Sequence, residues 1–223
     1  MIDTGSAPYT PLLPSVIEEC AALAVATLTP LVTADWTPLA RGSEWSCHTA
    51  LEHISGTVLF FAEDIDPLAP TQLPKHLQRD FETLSVPDLL EALTHSAAIV
   101  RRTLDAMPPD ARIAHVASLA DVEGYAALTC EEILVHTWDI TEVLGVEFHP
   151  PDALSRRIVE RIFPWGPQGD DVDAWDALRW CAGRVALPGN RQLDGDWWRS
   201  AALLPADDPL RWNGRPLRPQ WFD

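Results

Sequence analysis

Lysine is almost missing from this chain: Lys75 is the only one in 223 residues. Lys and Arg together number 16 against 33 Asp and Glu, a formal net charge of −17. A surface this acidic repels phosphate backbones and anionic headgroups, which excludes nucleic acid and membrane as expected partners. Paired cysteine motifs are missing too. Cys20, Cys47, Cys130 and Cys181 form no CxxC and each sits in an apolar, helix-like context, as reduced thiols buried in a cytosolic protein would. Long apolar runs are also lacking. The longest, CAALAVATL at 20–28, is too short to cross a bilayer. The opening MIDTGSAPYTPLLPS has neither the basic nor the apolar region of a signal peptide, so the expected location is the cytoplasm. No internal repeat or low-complexity tract occurs.

What is present is a chain that can build a core, with 47% hydrophobic residues. Helix signals dominate, and the expected class is all-α. A first helix follows Pro14 and Ser15 and ends near Pro30, with Val16, Cys20, Leu23 and Thr27 turned inward. A second starts at Ser46, a candidate N-cap, and runs to about Ala62. A third opens with Ser85, Pro87 and Asp88, which resemble a capping box, and carries Leu89, Leu93, Val100 and Leu104 at helical spacing until Pro108 and Pro109. A fourth spans Asp121 to Gly145, a fitting glycine for the left-handed residue after a helix. Four amphipathic helices predict a four-helix bundle over residues 1–150. Its long links, roughly 64–84 and 108–120, suit a lid or crossover, and AHVAS at 114–118 suits a short extended piece. Residues 151–223 read as a short extension with helices at 152–163 and 173–186. It holds Trp165, Trp175, Trp180, Trp197, Trp198, Trp212 and Trp221, and such a tail is expected to pack on the bundle.

The segment EEILVHTWDI, residues 131–140, poses the chemical question. On a helix Glu132 and His136 differ in direction by about 40°, and Asp139 lies about 20° from Glu132 on the other side. Glu131 points about 140° from His136 and is the poorer partner. The rest of the helix is apolar, so the stripe faces the interior, where carboxylates and imidazoles need a partner charge, hydrogen bonds or a metal. In WSCHTALEHISGT, residues 45–57, His53 is ringed by the small Thr49, Ala50, Gly56 and Thr57. Two imidazoles and a carboxylate on facing helices would make a three-ligand site with one position open, the plan of a catalytic zinc centre. Asp139 would orient an imidazole from behind or cap backbone. A core histidine is more often a structural hydrogen-bonding group, and Glu-x3-His pairs are common, so spacing alone leaves both readings open. His48 points about 140° from His53, towards the surface. His76, His95, His115 and His149 lack paired context and are expected to be structural or solvated. Arg101 and Arg102, late in the third helix, are candidates to clamp a substrate carboxylate, against the plainer reading of solvated arginines.

Trp45 with His53 eight positions on, followed far downstream by Glu132, His136 and Asp139 in E-x3-H-x2-D, resembles the DinB-like superfamily, in particular its mycothiol-dependent maleylpyruvate isomerase branch. HTWDI stands where that branch often has H-x-W-D-L. The resemblance covers most of residues 10–145. It implies a four-helix bundle holding a divalent metal, zinc first, through His53, Glu132 and His136. AWDALRWCAGRVALPG, residues 174–189, is similar to a Gly-Arg element of that branch's C-terminal extensions and makes Arg184 a candidate cofactor-binding residue. The implied co-substrate is a low-molecular-weight thiol such as mycothiol. A metal holds a thiol as the thiolate, which is otherwise scarce at neutral pH. The implied activity is a metal- and thiol-dependent isomerase or S-transferase acting on a small electrophile, in a monomer or homodimer, with Asp139 and Arg101 as candidate catalytic groups. The alternatives are a hydrolase using metal-activated water and a non-catalytic bundle that binds a metal or small molecule.

Overall fold

The computed structural model describes residues 10–65, 84–115, 119–167, 169, 171–191, 193, 201–205 and 207–208. It is mainly helical, with α1 Ser15–Leu28, α2 Cys47–Asp64, α3 Val86–Asp105, α4 Val122–Leu144, α5 Asp152–Ile162 and α6 Ala174–Cys181. Strands β1 Ile113–Ala114 and β2 Leu119–Ala120 pair antiparallel between α3 and α4, Ile113 opposite Ala120 and Ala114 opposite Leu119. The expected extended piece therefore begins one residue earlier, and its residues 116–118 lie outside the described residues. So do most of the link between α2 and α3, with Lys75 and His76, and Trp197, Trp198, Trp212 and Trp221.

The helix ends follow local chemistry. Ser46 is extended and its hydroxyl accepts the Thr49 N–H at 3.0 Å, satisfying one orphan donor of α2. Ser85 and Asp88 close a reciprocal capping box on α3. That helix stops at Asp105, because the residue before Pro108 is pushed out of helical backbone. Asp121 accepts the Gly124 N–H at 2.7 Å to start α4, and Gly145 ends it at φ 72°. Gly183, also at φ 72°, cuts α6 short of the expected 186.

α1 packs on α3 and α4, and α2 packs on the same two helices, while α3 and α4 barely meet. Wedged between two neighbours, α1 buries Val16, Ile17, Cys20, Ala21, Ala24 and Leu28. Leu23 and Thr27, expected inside, are only half-buried. The stripe is centred on Cys20 and Ala24, where small side chains let the helices approach. α4 touches α1, α2 and α5 and is buried on almost every side. A helix apolar all round belongs in such a central place.

One apolar cluster runs from Leu12 to Leu203 and takes in Ile158, Val159 and Ile162 of α5 and Trp175, Leu178 and Cys181 of α6. Trp175 and Trp180 are buried in it, whereas Trp165 is exposed. Arg161, itself buried, binds the chain together at one end. Its guanidinium bonds to Asp121 and to the carbonyls of Ala202 and Leu203. Its Nε also lies 3.5 Å from Glu123, whose other oxygen accepts the Leu12 N–H. No helix among the described residues is long and apolar enough to cross a membrane.

Candidate metal centre

The middle of α4 faces the middle of α2, and three side chains meet there. Donor atoms of His53, Glu132 and His136 all lie within 4.8 Å of one another. Glu132 Oε2 is 3.4 Å from His136 Nε2 and 3.7 Å from His53 Nε2. These distances are too long for good hydrogen bonds, and Glu132 Oε2 is buried without a hydrogen-bond partner. Two donor atoms bound to one tetrahedral ion at about 2.1 Å sit roughly 3.4 Å apart, so the spacing and the orphaned oxygen fit a divalent metal between them. The His2Glu donor set suits zinc.

Behind the ligands stands a chain of support. Asp139 Oδ2 lies 3.0 Å from His136 Nδ1, which fixes that nitrogen as the proton-bearing one and turns Nε2 towards Glu132 and His53. Asp139 is 1% exposed and receives a hydrogen bond from Arg184 Nε to each carboxylate oxygen, both at 3.0 Å. Arg184 also donates to the Ala182 carbonyl, so the turn after α6 holds it. Arg184 is therefore part of the centre's support, reaching the ligands through Asp139.

Electrostatics follow from this packing. Burial works against charge on His136, but the close contact with Asp139 and the negative charges of Glu132 and Asp139 outweigh it and raise its pKa to about 9. Burial would raise Glu132, yet His136 and His53 keep it well below the usual carboxylate range. In the metal-free chain His136 is thus an imidazolium paired with two carboxylates, and its Nε2 must lose a proton before it can donate to a metal.

Arg101 is not brought to this centre. It lies on α3, with Nε 2.9 Å from Glu18 of α1 and Nη1 2.6 Å from Asp105 one turn on. Those acids raise its pKa and occupy the fork that would have clamped a substrate. His48, expected at the surface, is half-buried, its Nε2 2.9 Å from the Leu84 carbonyl oxygen. His95 is exposed, as a solvated residue should be. His149, exposed, lies 3.0 Å from Asp152 and 4.0 Å from Asp173.

No family model, curated protein or solved structure matches the chain.

Three further residues stand near the ligands, and the structure gives each a setting that spacing does not specify. Glu131 is 1% exposed, and neither of its oxygens has a hydrogen-bond partner. Burial and the neighbouring Glu132 push it up to about 8, so it sits in the core as a neutral acid at neutral pH. The same carboxyl, after burial, helps push the Cys181 thiol up to about 12. Because neighbours enclose α4 at this level, Glu131 has no solvent-facing position to occupy. His115, after β1, packs edge-on against Phe61 and Tyr125 with ring centroids 5.4 and 5.9 Å away. Burial holds it down at about 4 despite the opposing pull of Glu132. Trp45 lies over His53 at 4.5 Å between ring centroids and 6.2 Å from His136. The small neighbours of His53 thus do not leave it uncovered.

Proposed function

We propose that the chain is a DinB-like four-helix bundle, α1 to α4, in which His53, Glu132 and His136 hold a divalent metal, zinc first. It would serve a metal- and thiol-dependent isomerase or S-transferase reaction on a small electrophile. The observation that carries the reading is that donor atoms of His53, Glu132 and His136, from two facing helices, lie within 4.8 Å of one another, with Asp139 set behind His136. A metal bound there supplies a positive Lewis-acid position that favours the anionic form of an incoming thiol.

The chain's own residues do the rest. Asp139 keeps the His136 tautomer correct, and the two hydrogen bonds from Arg184 hold Asp139 in place. Glu132 contributes one negative charge, which leaves a divalent site one unit positive and ready for one anionic donor. His53 and Glu132 are partly exposed, so a small molecule can reach the centre from solvent. The reagents are proposed to be a mycothiol-like thiol and its electrophilic partner, in the cytoplasm.

Metal analysis of the purified chain beside His136→Ala tests this directly. Near-stoichiometric zinc in the first and little in the second is expected; equal metal in both removes His136 from the centre. Titration with small thiols follows. Metal-loaded protein that ignores thiols yet hydrolyses activated esters would favour the hydrolase, and binding without turnover would favour the non-catalytic bundle.

A further inference from the structure

Thr57 stands one turn beyond the ligand His53 on α2, and its hydroxyl is used unlike the others. Elsewhere in the described helices Thr27, Thr94, Thr103, Thr129, Thr137 and Thr141 each turn the hydroxyl back to donate to a backbone carbonyl three or four residues earlier. Thr49, in the first turn of α2, pairs with the Ser46 hydroxyl. Thr57 instead turns its oxygen to the His53 ring, 3.4 Å from Nδ1 and 3.5 Å from Nε2. Both distances are long for a hydrogen bond. A hydroxyl in line with one ring nitrogen would stand much farther from the other. The near-equal distances therefore put Oγ1 over the ring face, off the in-plane direction of either nitrogen. The O–H is not spent on His53. His53, Gly56 and Thr57 are only half-buried, so this stretch of α2 borders solvent.

Resting on the metal-centre reading above, we propose that the Thr57 hydroxyl is the hydrogen-bond donor to the anionic sulfur that takes the open metal position. Reach supports this. A metal held by His53 Nε2 lies about 2.1 Å from that nitrogen, in the ring plane. Thr57 Oγ1 leans back over the ring, so it stands farther from such a metal than its 3.5 Å from Nε2. That is too far to ligate and near enough to donate to an atom bound beside the metal. Chemistry agrees. Once the imidazoles and Glu132 hold a metal, the atoms they turn to it carry no hydrogen to offer an incoming ligand. A sulfur anion keeps lone pairs after it binds a metal, and a hydrogen bond to an anion is worth more than one between neutral groups. The thiol gives its proton to solvent on binding, and Thr57 keeps its own and shares it with the sulfur. The hydroxyl therefore favours an anionic donor over a neutral nitrogen ligand, whose only lone pair is spent on the metal.

The experiment uses the full chain loaded with cobalt in place of zinc, so that ligand binding is read from the cobalt absorption spectrum. The probes are 2-mercaptoethanol and imidazole. Thr57→Val keeps the shape of the side chain and removes the hydroxyl, whereas Thr57→Ser keeps the hydroxyl. Thr57→Val should take up cobalt as the wild type does, bind imidazole equally well and bind 2-mercaptoethanol about tenfold more weakly. Thr57→Ser should hold the thiol within about threefold of the wild type. Equal thiol affinity in the wild type and Thr57→Val would overturn the proposal and leave the metal centre standing. So would a parallel loss of imidazole, or an equal loss of thiol in Thr57→Ser, since packing would then be the cause. A Thr57→Val chain that keeps its helical circular dichroism but no longer takes up cobalt would overturn it too, because the side chain would then be a prop for His53. A wild type that takes up no cobalt would instead sink the metal centre, and one that binds cobalt and imidazole but no thiol would sink the thiol reading; either takes this proposal with it.

Discussion

At the residue scale the centre depends on what stands behind it. Asp139 bears on His136 through one carboxylate oxygen and is gripped by Arg184 through both. Replacing Asp139 by Asn keeps the volume but removes the charge and one acceptor oxygen. Zinc affinity, measured by competition with a chromophoric chelator, should fall about 10- to 100-fold with the fold intact. His115 gives a second, independent expectation. It stays neutral in the folded chain down to about pH 4, whereas an unfolded chain protonates it near its ordinary value of 6.5. The unfolded state is the better proton binder between those limits, so this contribution is intact above pH 6.5 and is lost as pH falls through 4. Its size is at most about 3 kcal/mol. Urea unfolding of the wild type and His115→Phe at pH 7 and pH 4.5 should show the smaller acid-induced loss in the variant.

At the scale of elements, α2 carries both the ligand His53 and the cap that orients its first turn. Ser46→Ala deletes the bond to the Thr49 N–H and should cost about 1 kcal/mol in urea unfolding. Much of this level was legible beforehand. Ser46, Ser85, Asp121 and Gly145 announce helix ends through chemistry that acts within four residues, so neighbouring sequence suffices to find them. Glu132, His136 and Asp139 were legible for the same reason, since helical periodicity alone places them on one stripe. The inward face of α1 was not, because it depends on two distant partners, α3 and α4. The fate of Arg101 was hidden likewise: its acid on α3 is in reach by sequence, but Glu18 comes from another helix. Glu131 does point away from His136 as its spacing implies, but its burial was not legible, because it depends on the neighbours that enclose α4 on nearly all sides. Trp45 was visible as a motif member, but its place above two imidazoles needs the segment 39–46, which Leu39 and Ser46 close by pairing.

At the scale of the whole molecule, described residues of α5, α6 and the segment at 201–203 share one apolar cluster with the helices before them. Arg161 is the chief polar tie, joining α5 to the first turn of α4 and to the segment at 201–203. Arg161→Ala would strand Asp121 without its partner in a mostly dry setting. A loss of about 3–5 kcal/mol is expected, read as a lower urea midpoint. Zinc content at low denaturant should be unchanged, because the tie lies at the opening turn of α4, more than two helical turns before Glu132.

The close approach at that opening turn bears on how the protein is made. A methyl group placed on Gly124 would fall 2.1 Å from the Leu203 carbonyl oxygen, so backbone lies against backbone there. The Asp121 N–H donates to that same oxygen, across 82 positions of sequence (203 − 121). A ribosome adds residues in order, and the amino end of α4 has left the exit tunnel long before Leu203 is polymerised. Until then Asp121, Gly124 and Arg161 present a raw seam to solvent. The seam therefore closes only once Leu203 has been made, and until then the amino end of α4 stands without the backbone it is shaped to meet.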